Sequence, residues 1–268
     1  MSHSAANDVR VSRLSGSGQL HIHVRERQPG RGMPVIFVHG FIGDGAENHR
    51  LFIRLADVFV NMGFCALLFD QYGSGYSDGE HKDVCLATCR EDILTVIQWA
   101  VTEYGPHYGL VAQSVGSAVV LEMAEGMISE CEFRIMLNPA ARFNEWLLER
   151  YGWHAAMGDG STEDVLCAQS KGVMVAKRYV EELLSWDWLN VLQESKIPTL
   201  IVASGDDELR SDDVAREAGA RLGTATDVRY VAGANHTYSC QPHEEHCMHK
   251  LVEEWVASVS TCFRSTPG

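Results

Sequence analysis

From Val35 to the end of the chain, short apolar runs alternate with longer amphipathic stretches, and this rhythm narrows the possible folds more than any other feature. The runs are VIFVHG from Val35, FCALLFD from Phe64, YGLVAQS from Tyr108, FRIMLNPA from Phe133, TLIVASG from Thr199 and VRYVAG from Val228. Such alternation predicts an α/β architecture: a mostly parallel central sheet with helices on both faces. The helix candidates run from Glu47 to Met62, Cys89 to Tyr104, Val115 to Ile128, and His243 to about Ser260. Ahead of Val35, VRVSRL and LHIHVRE alternate apolar and polar residues around the turn-forming SGSG, which predicts an antiparallel hairpin at a sheet edge.

One stretch breaks the rhythm. Between Asn138 and Thr199 lie roughly sixty residues without a convincing strand, where simple alternation needs one helix and two loops. An inserted helical lid at about 142–195 accounts for them, with helices RFNEWLLERYGW from Arg142 and VMVAKRYVEELL from Val173 separated by GDGST from Gly158. The 268 residues, 46% of them hydrophobic, suffice for one large core. The expectation is a single domain over 1–268.

The formal net charge of -14 argues against a nucleic-acid partner, since affinity for phosphate backbones comes from Lys and Arg. No basic segment followed by an apolar stretch opens the chain, and nowhere do about 18 uncharged apolar residues run together. A soluble cytoplasmic protein is expected, with no membrane span. The eight cysteines are scattered, some inside apolar segments as at Cys65 and Cys131, and read as buried free thiols rather than disulfides.

The first motif with chemical content is LVAQSVGSAVV, in which an apolar strand runs into Ser114 and a helix pattern follows at once. A sharp strand-to-helix turn lifts a serine hydroxyl above a sheet and admits only small neighbours two residues away. Here these are Ala112 and Gly116. The second motif is VIFVHGFIGDG, a strand ending in His39-Gly40-Phe41. Acyl transfer places negative charge on a carbonyl oxygen, and fixed backbone N–H groups stabilise it. Phe41 and Val115 are the candidate donors of this oxyanion hole, while His39 is read as a support of the loop and not as a base.

The third motif, VRYVAGANHTYS, carries His236 on a loop after the last strand, from which it can reach back to Ser114. A serine hydroxyl needs such an imidazole as base at neutral pH, and the imidazole needs a carboxylate to fix its tautomer. TLIVASGDDELRS supplies one beyond the strand from Thr199. Asp207 aligns best; Asp206 stays open, because one residue of slip reverses which side chain faces the histidine. The order Ser, Asp, His, each at the carboxyl end of a strand, is that of the α/β-hydrolases.

On these residues the sequence resembles the α/β-hydrolase superfamily over nearly its whole length. The segment HGFIGDGAENHRLFIRLADVFVNMGFCALLFDQYGSGYSDGE, with D-x-x-G-x-G-x-S-x-G from Asp70 to Gly79, is similar to the bacterial feruloyl or cinnamoyl esterase branch and the exosortase-system-associated hydrolases. So is GANHTYS. The resemblance implies catalysis by Ser114, Asp207 and His236, with Phe41 and Val115 as backbone donors. It departs from that branch at Ala112-Gln113, where Gly-His usually precedes the serine.

The expected activity is hydrolysis of a small-molecule carboxylic ester through an acyl-enzyme, without a cofactor. A thioesterase or acyltransferase is the alternative, and a catalytically silent binding protein of the same fold a more distant one. No metal site is expected: His243, His246, His249 and Cys247 form no complete ligand set and read as a polar helix face. Trp146, Trp153, Trp186 and Trp188 either line an acyl pocket or pack the lid. The oligomeric state is not encoded in any motif.

Overall fold

In a computed structural model, which describes residues 8–26, 30–140, 145–158, 164–168, 172–209, 211–239 and 241–263, the apolar runs lie side by side in one eight-stranded sheet. The chain begins with the hairpin β1 (Asp8–Ser15) and β2 (Gln19–Glu26), followed by β3 (Pro34–Val38), α1 (Leu51–Asn61) and β4 (Cys65–Asp70). Then come α2 (Leu86–Tyr104), β5 (Tyr108–Gln113), α3 (Val115–Glu122) and β6 (Cys131–Leu137). An inserted segment holds α4 (Glu145–Tyr151), β7 (Val165–Ala168), β8 (Val173–Ala176), α5 (Lys177–Ser185) and α6 (Trp188–Val191). The last part is β9 (Thr199–Ser204), α7 (Ser211–Leu222), β10 (Thr226–Val231) and α8 (Pro242–Phe263).

The strand order is β1-β2-β4-β3-β5-β6-β9-β10, with β1 and β2 antiparallel to their neighbours and the other pairs parallel. Every residue of β3, β4, β5 and β9 is buried, as a strand covered on both faces requires. One face carries α2, α3, α7 and the inserted segment; the other carries α1 and α8. The carboxyl ends of β3, β5, β6, β9 and β10 are thereby gathered at one rim of the sheet.

The helix expected from Glu47 is shorter than the sequence suggests, because Glu47, His49 and Arg50 all have left-handed backbone (φ 56°, 41° and 68°) and α1 starts only at Leu51. Similarly, α3 ends at Glu122. Beyond it the backbone extends, and the Glu125 carboxylate is held across a crevice by the Ser195 hydroxyl (2.6 Å) and the Lys196 amide (2.8 Å).

The inserted segment is not wholly helical. VMVA, read as the first turn of a helix, is instead strand β8, paired antiparallel with β7, and α5 begins at Lys177. Alternation over four residues is too brief to separate from a helical period, and Val173 and Val175 favour the extended state. The expected helix residues Arg142–Asn144, and 159–162 of the expected break, lie outside the described residues. Trp153 and Trp188 are 3% and 2% exposed, and their indole N–H groups donate to the carbonyls of Cys167 and Ala140 (both 3.0 Å). These two pack the segment onto the sheet. The Trp186 indole donates to Glu122 on α3 (3.0 Å), and the side chain of Trp146 lies outside the described residues.

Cys65, Cys85, Cys89, Cys131, Cys167 and Cys247 are all free thiols, but burial holds only for Cys65, Cys89 and Cys131; Cys167 and Cys247 are exposed. Cys240 and the side chain of Cys262 lie outside the described residues. Burial pushes the Cys65, Cys89 and Cys131 thiols up to about 12, so they stay protonated at neutral pH.

A close backbone approach lies where α3 starts. A Cβ on Gly116 would sit 2.6 Å from the His39 carbonyl oxygen and 2.7 Å from that of Val38, so β3 and α3 approach each other through this glycine. Gly126, on the turn after α3, has nothing within 4 Å of the same position. We expect Gly116→Ala to cost about 1–3 kcal/mol in urea unfolding, and Gly126→Ala to change stability little. Equal effects of the two substitutions would contradict the close approach.

Candidate active site

The strand β5 delivers Ser114 to the rim. Its backbone is forced into φ 54° and ψ −121°, a conformation that L residues rarely adopt. Three hydrogen bonds hold the turn: the Ser114 amide donates to Leu137 (3.0 Å), and the Ser114 carbonyl receives the amides of Ala118 (3.2 Å) and Ala140 (3.1 Å). Ala112, where related elbows carry glycine, is fully buried between β3 and β6, and the sheet accommodates its methyl group.

His236 reaches Ser114 from the loop after β10. Its Nε2 lies 2.9 Å from Ser114 Oγ, and its Nδ1 lies 2.7 Å from Asp207 Oδ2. The carboxylate acts as acceptor, so Nδ1 carries the proton and Nε2 is left to accept from the serine hydroxyl. Asp207 is the aspartate the structure brings to the histidine; Asp206, the other candidate, is exposed. The Asp207 side chain is 0% exposed, and its second oxygen accepts the Leu209 amide at 2.8 Å. That bond leaves Oδ2 aimed at the ring.

The loop after β3 passes directly over the serine, since a Cβ on Gly40 would meet Ser114 Cβ at 3.0 Å. Phe41 follows, its ring against Tyr179 (5.6 Å) and Tyr151 (6.5 Å) of the inserted segment. The amides of Phe41 and Val115 thus belong to two segments that flank Ser114. His39 is occupied elsewhere: Nε2 accepts the Gln71 amide (3.1 Å), so Nδ1 donates to the Gly40 carbonyl (2.9 Å). It braces the loop, as its motif suggested.

Several residues around the site carry no signal that the motifs picked up. Glu47 is 8% exposed, and its carboxylate accepts the Gly40 amide at 2.6 Å and the Asn48 amide at 2.8 Å. His49 donates from Nε2 to the Thr237 carbonyl (2.9 Å), next to His236, while Arg54 approaches its Nδ1 (3.1 Å). One left-handed turn therefore grips both the Gly40 loop and the His236 loop. Nothing in the sequence marks such a turn, as neither residue is glycine or asparagine. Asn138 does carry a mark: an asparagine ending a strand is the residue type that tolerates left-handed backbone (φ 43°).

Asp70, which opens the glycine-rich segment, is structural. Its oxygens accept the amides of Gly45 (2.7 Å) and Tyr76 (2.8 Å), tying two loops to the end of β4. On α8, Glu245 forms an ion pair with Arg54 (2.5 Å) and lies 3.5 Å from His249, and burial pushes the His249 imidazole below its ordinary pKa. Among the described residues, no group of three or more His, Cys, Asp or Glu is placed to hold a metal ion, and no helix is long and apolar enough to cross a membrane.

Comparison with known proteins gives a consistent picture of the fold. Residues 33–157 match the family model of the alpha/beta hydrolase fold. An uncharacterized 31.7 kDa protein from the traX-finO intergenic region of Escherichia coli is 34% identical over 93 residues, or 34% of this chain and 32% of that protein. The match thus spans about a third of that relative's length. Est1E from Butyrivibrio proteoclasticus, solved with ferulic acid bound, superposes with a TM-score of 0.79 at 20% identity, covering 93% of this chain and 99% of its own. A dienelactone hydrolase from Anabaena variabilis gives 0.64 at 14% identity, covering 94% and 98%.

Behind the Gly40 loop lies a cavity of about 20 Å³, lined by His39, Phe41, Gln71, His81 and Tyr179 among others. Burial, and to a lesser degree the neighbouring His39, lowers the His81 imidazole from its ordinary 6.5 to about 4; its Nδ1 donates to the Gly73 carbonyl (2.8 Å). Between those two values the unfolded chain binds a proton that the folded chain does not, so the stability is lost as pH falls from 6.5 toward 4. Urea unfolding across this window is expected to weaken with acid, and His81→Gln to make the loss shallower. An unchanged slope in that variant would contradict the neutral buried imidazole.

Proposed function

On the premise that the chain has the α/β-hydrolase fold, which its architecture and the match over residues 33–157 support, we propose that it is a serine hydrolase cleaving a carboxylic ester through an acyl-enzyme. One observation carries the reading: the unbroken relay from Ser114 Oγ to His236 Nε2 (2.9 Å) and from His236 Nδ1 to Asp207 Oδ2 (2.7 Å). Ser114 attacks the acyl carbon while its proton passes to His236. Asp207 holds the imidazole in the receiving tautomer and stabilises the imidazolium.

The negative charge that develops on the carbonyl oxygen is met by the backbone N–H groups of Phe41 and Val115. The second of these opens α3, where helix amides have no partner within the helix. Collapse of the tetrahedral intermediate expels the alcohol, which takes the proton from His236. Water then attacks the acyl carbon, gives its proton to His236, and the acid leaves. Ser114 recovers its proton in the same step. Each half-reaction uses the same base and the same two amides.

The acyl group meets Phe41, whose ring packs against Tyr151 and Tyr179, so an apolar acyl portion suits the wall. Feruloyl esters are natural first probes, given the ferulic acid bound to Est1E. An acyl-enzyme of this kind is also loaded by a thioester. A matched ester and thioester differing in one atom would assign the leaving group.

Ser114→Ala is expected to lower hydrolysis of a small aryl ester by at least about 10⁴-fold and to abolish labelling by a fluorophosphonate. Full activity in that variant would overturn the reading. Asp207→Asn is expected to lower kcat by about 10⁴-fold, whereas Asp206→Asn leaves it within about threefold, as surface substitutions generally do. The reverse ranking would transfer the acid's role to Asp206.

A further inference from the structure

The residue before the nucleophile, Gln113, is 1% exposed, and its side chain does not face solvent. Its Nε2 donates to the backbone carbonyl of His236 at 2.8 Å. Asn138, at the end of β6, donates from Nδ2 to the same carbonyl, also at 2.8 Å. A carbonyl oxygen has two lone pairs, and here two side-chain amides from adjacent strands occupy them. Asn138 also exchanges hydrogen bonds with Ser204, accepting its amide (2.7 Å) and donating to its hydroxyl (2.8 Å), at the end of the strand that leads to Asp207.

Resting on the serine-hydrolase reading above, we infer that Gln113 and Asn138 are positioning residues that fix the backbone of His236, and with it the reach of the imidazole toward Ser114. The ring's far end is held by Asp207, but a ring held only there still pivots with its loop. Gripping the carbonyl removes that freedom. Through Gln113 the base is tied to the residue beside the nucleophile, and through Asn138 and Ser204 to the strand that carries the acid. Sub-ångström placement of this kind governs rate more than affinity. The glutamine where the similar esterases have histidine thereby acquires a role: its amide reaches across the rim to the base.

The test is steady-state hydrolysis of a small aryl ester by the full chain and by Gln113→Met, which keeps the volume and removes the donor. The expected result is a fall in kcat of about tenfold or more with KM within about twofold, together with a slower fluorophosphonate reaction at Ser114 and an unchanged circular-dichroism spectrum. Gln113→Glu, equal in size but unable to donate when ionised, serves where the methionine variant does not fold, with a kcat loss at least as large expected. In the unaltered protein the Gln113 side-chain amide protons are expected to exchange slowly with deuterated water. Retention of kcat within twofold in a folded variant, or rapid exchange of those protons, overturns the inference. Failure of the unaltered protein to label at Ser114 would instead overturn the reading on which it rests.

Discussion

Ser114 keeps its left-handed backbone because three neighbours fasten it: Leu137 accepts its amide, and Ala118 and Ala140 donate to its carbonyl. The turn is strained by itself, and only the surrounding sheet and helix hold it. Everything at the rim is measured from this point. Gly116 lets α3 start against the last carbonyls of β3, which brings the Gly40 loop within contact distance of the serine. The β6 end, the loop after β9 and the loop after β10 then converge on the same few ångströms.

The strands and most helices were legible because their signal is cumulative: VIFVHG, FCALLFD and TLIVASG are apolar at most of the positions that both faces of a parallel sheet bury, with polar residues only near their ends. The same logic located Ser114, Asp207 and His236 at strand ends, since Ser114 follows its apolar run directly and the other two lie on the loops just beyond theirs. It left Asp207 and Asp206 open, as adjacent residues on a loop have no period to separate them; only coordinates show that Asp207 turns inward and Asp206 outward. The inserted segment was misread at VMVA because a four-residue strand leaves almost no pattern. Glu47 and His49 were invisible for a different reason. Their roles depend on positive φ at residues whose side chains give no hint of it.

Phe41 joins two parts of the molecule that the sequence keeps far apart. Its backbone lies on the loop that covers Ser114, whereas its ring rests on Tyr179 of α5 and near Tyr151 of α4. The Tyr179 hydroxyl is buried beside Cys89 of α2 (3.7 Å), so the inserted segment is keyed into the main core at the point where it meets the loop. Substitutions in the insertion therefore reach the rim through aromatic packing, without touching the serine.

The supports that surround His236 are worth comparing by charge. Asp207 is an anion, but Gln113, Asn138 and Ser204 are neutral at every physiological pH. Amides and hydroxyls impose geometry through dipoles that fall off quickly with distance, whereas a lysine or glutamate in the same places would add a unipolar field next to the imidazole. The scaffold can thus be stiff without adding a second charge beside the ring. The loop that carries the imidazole is held by dipoles alone, and Asp207 is left as the charged partner.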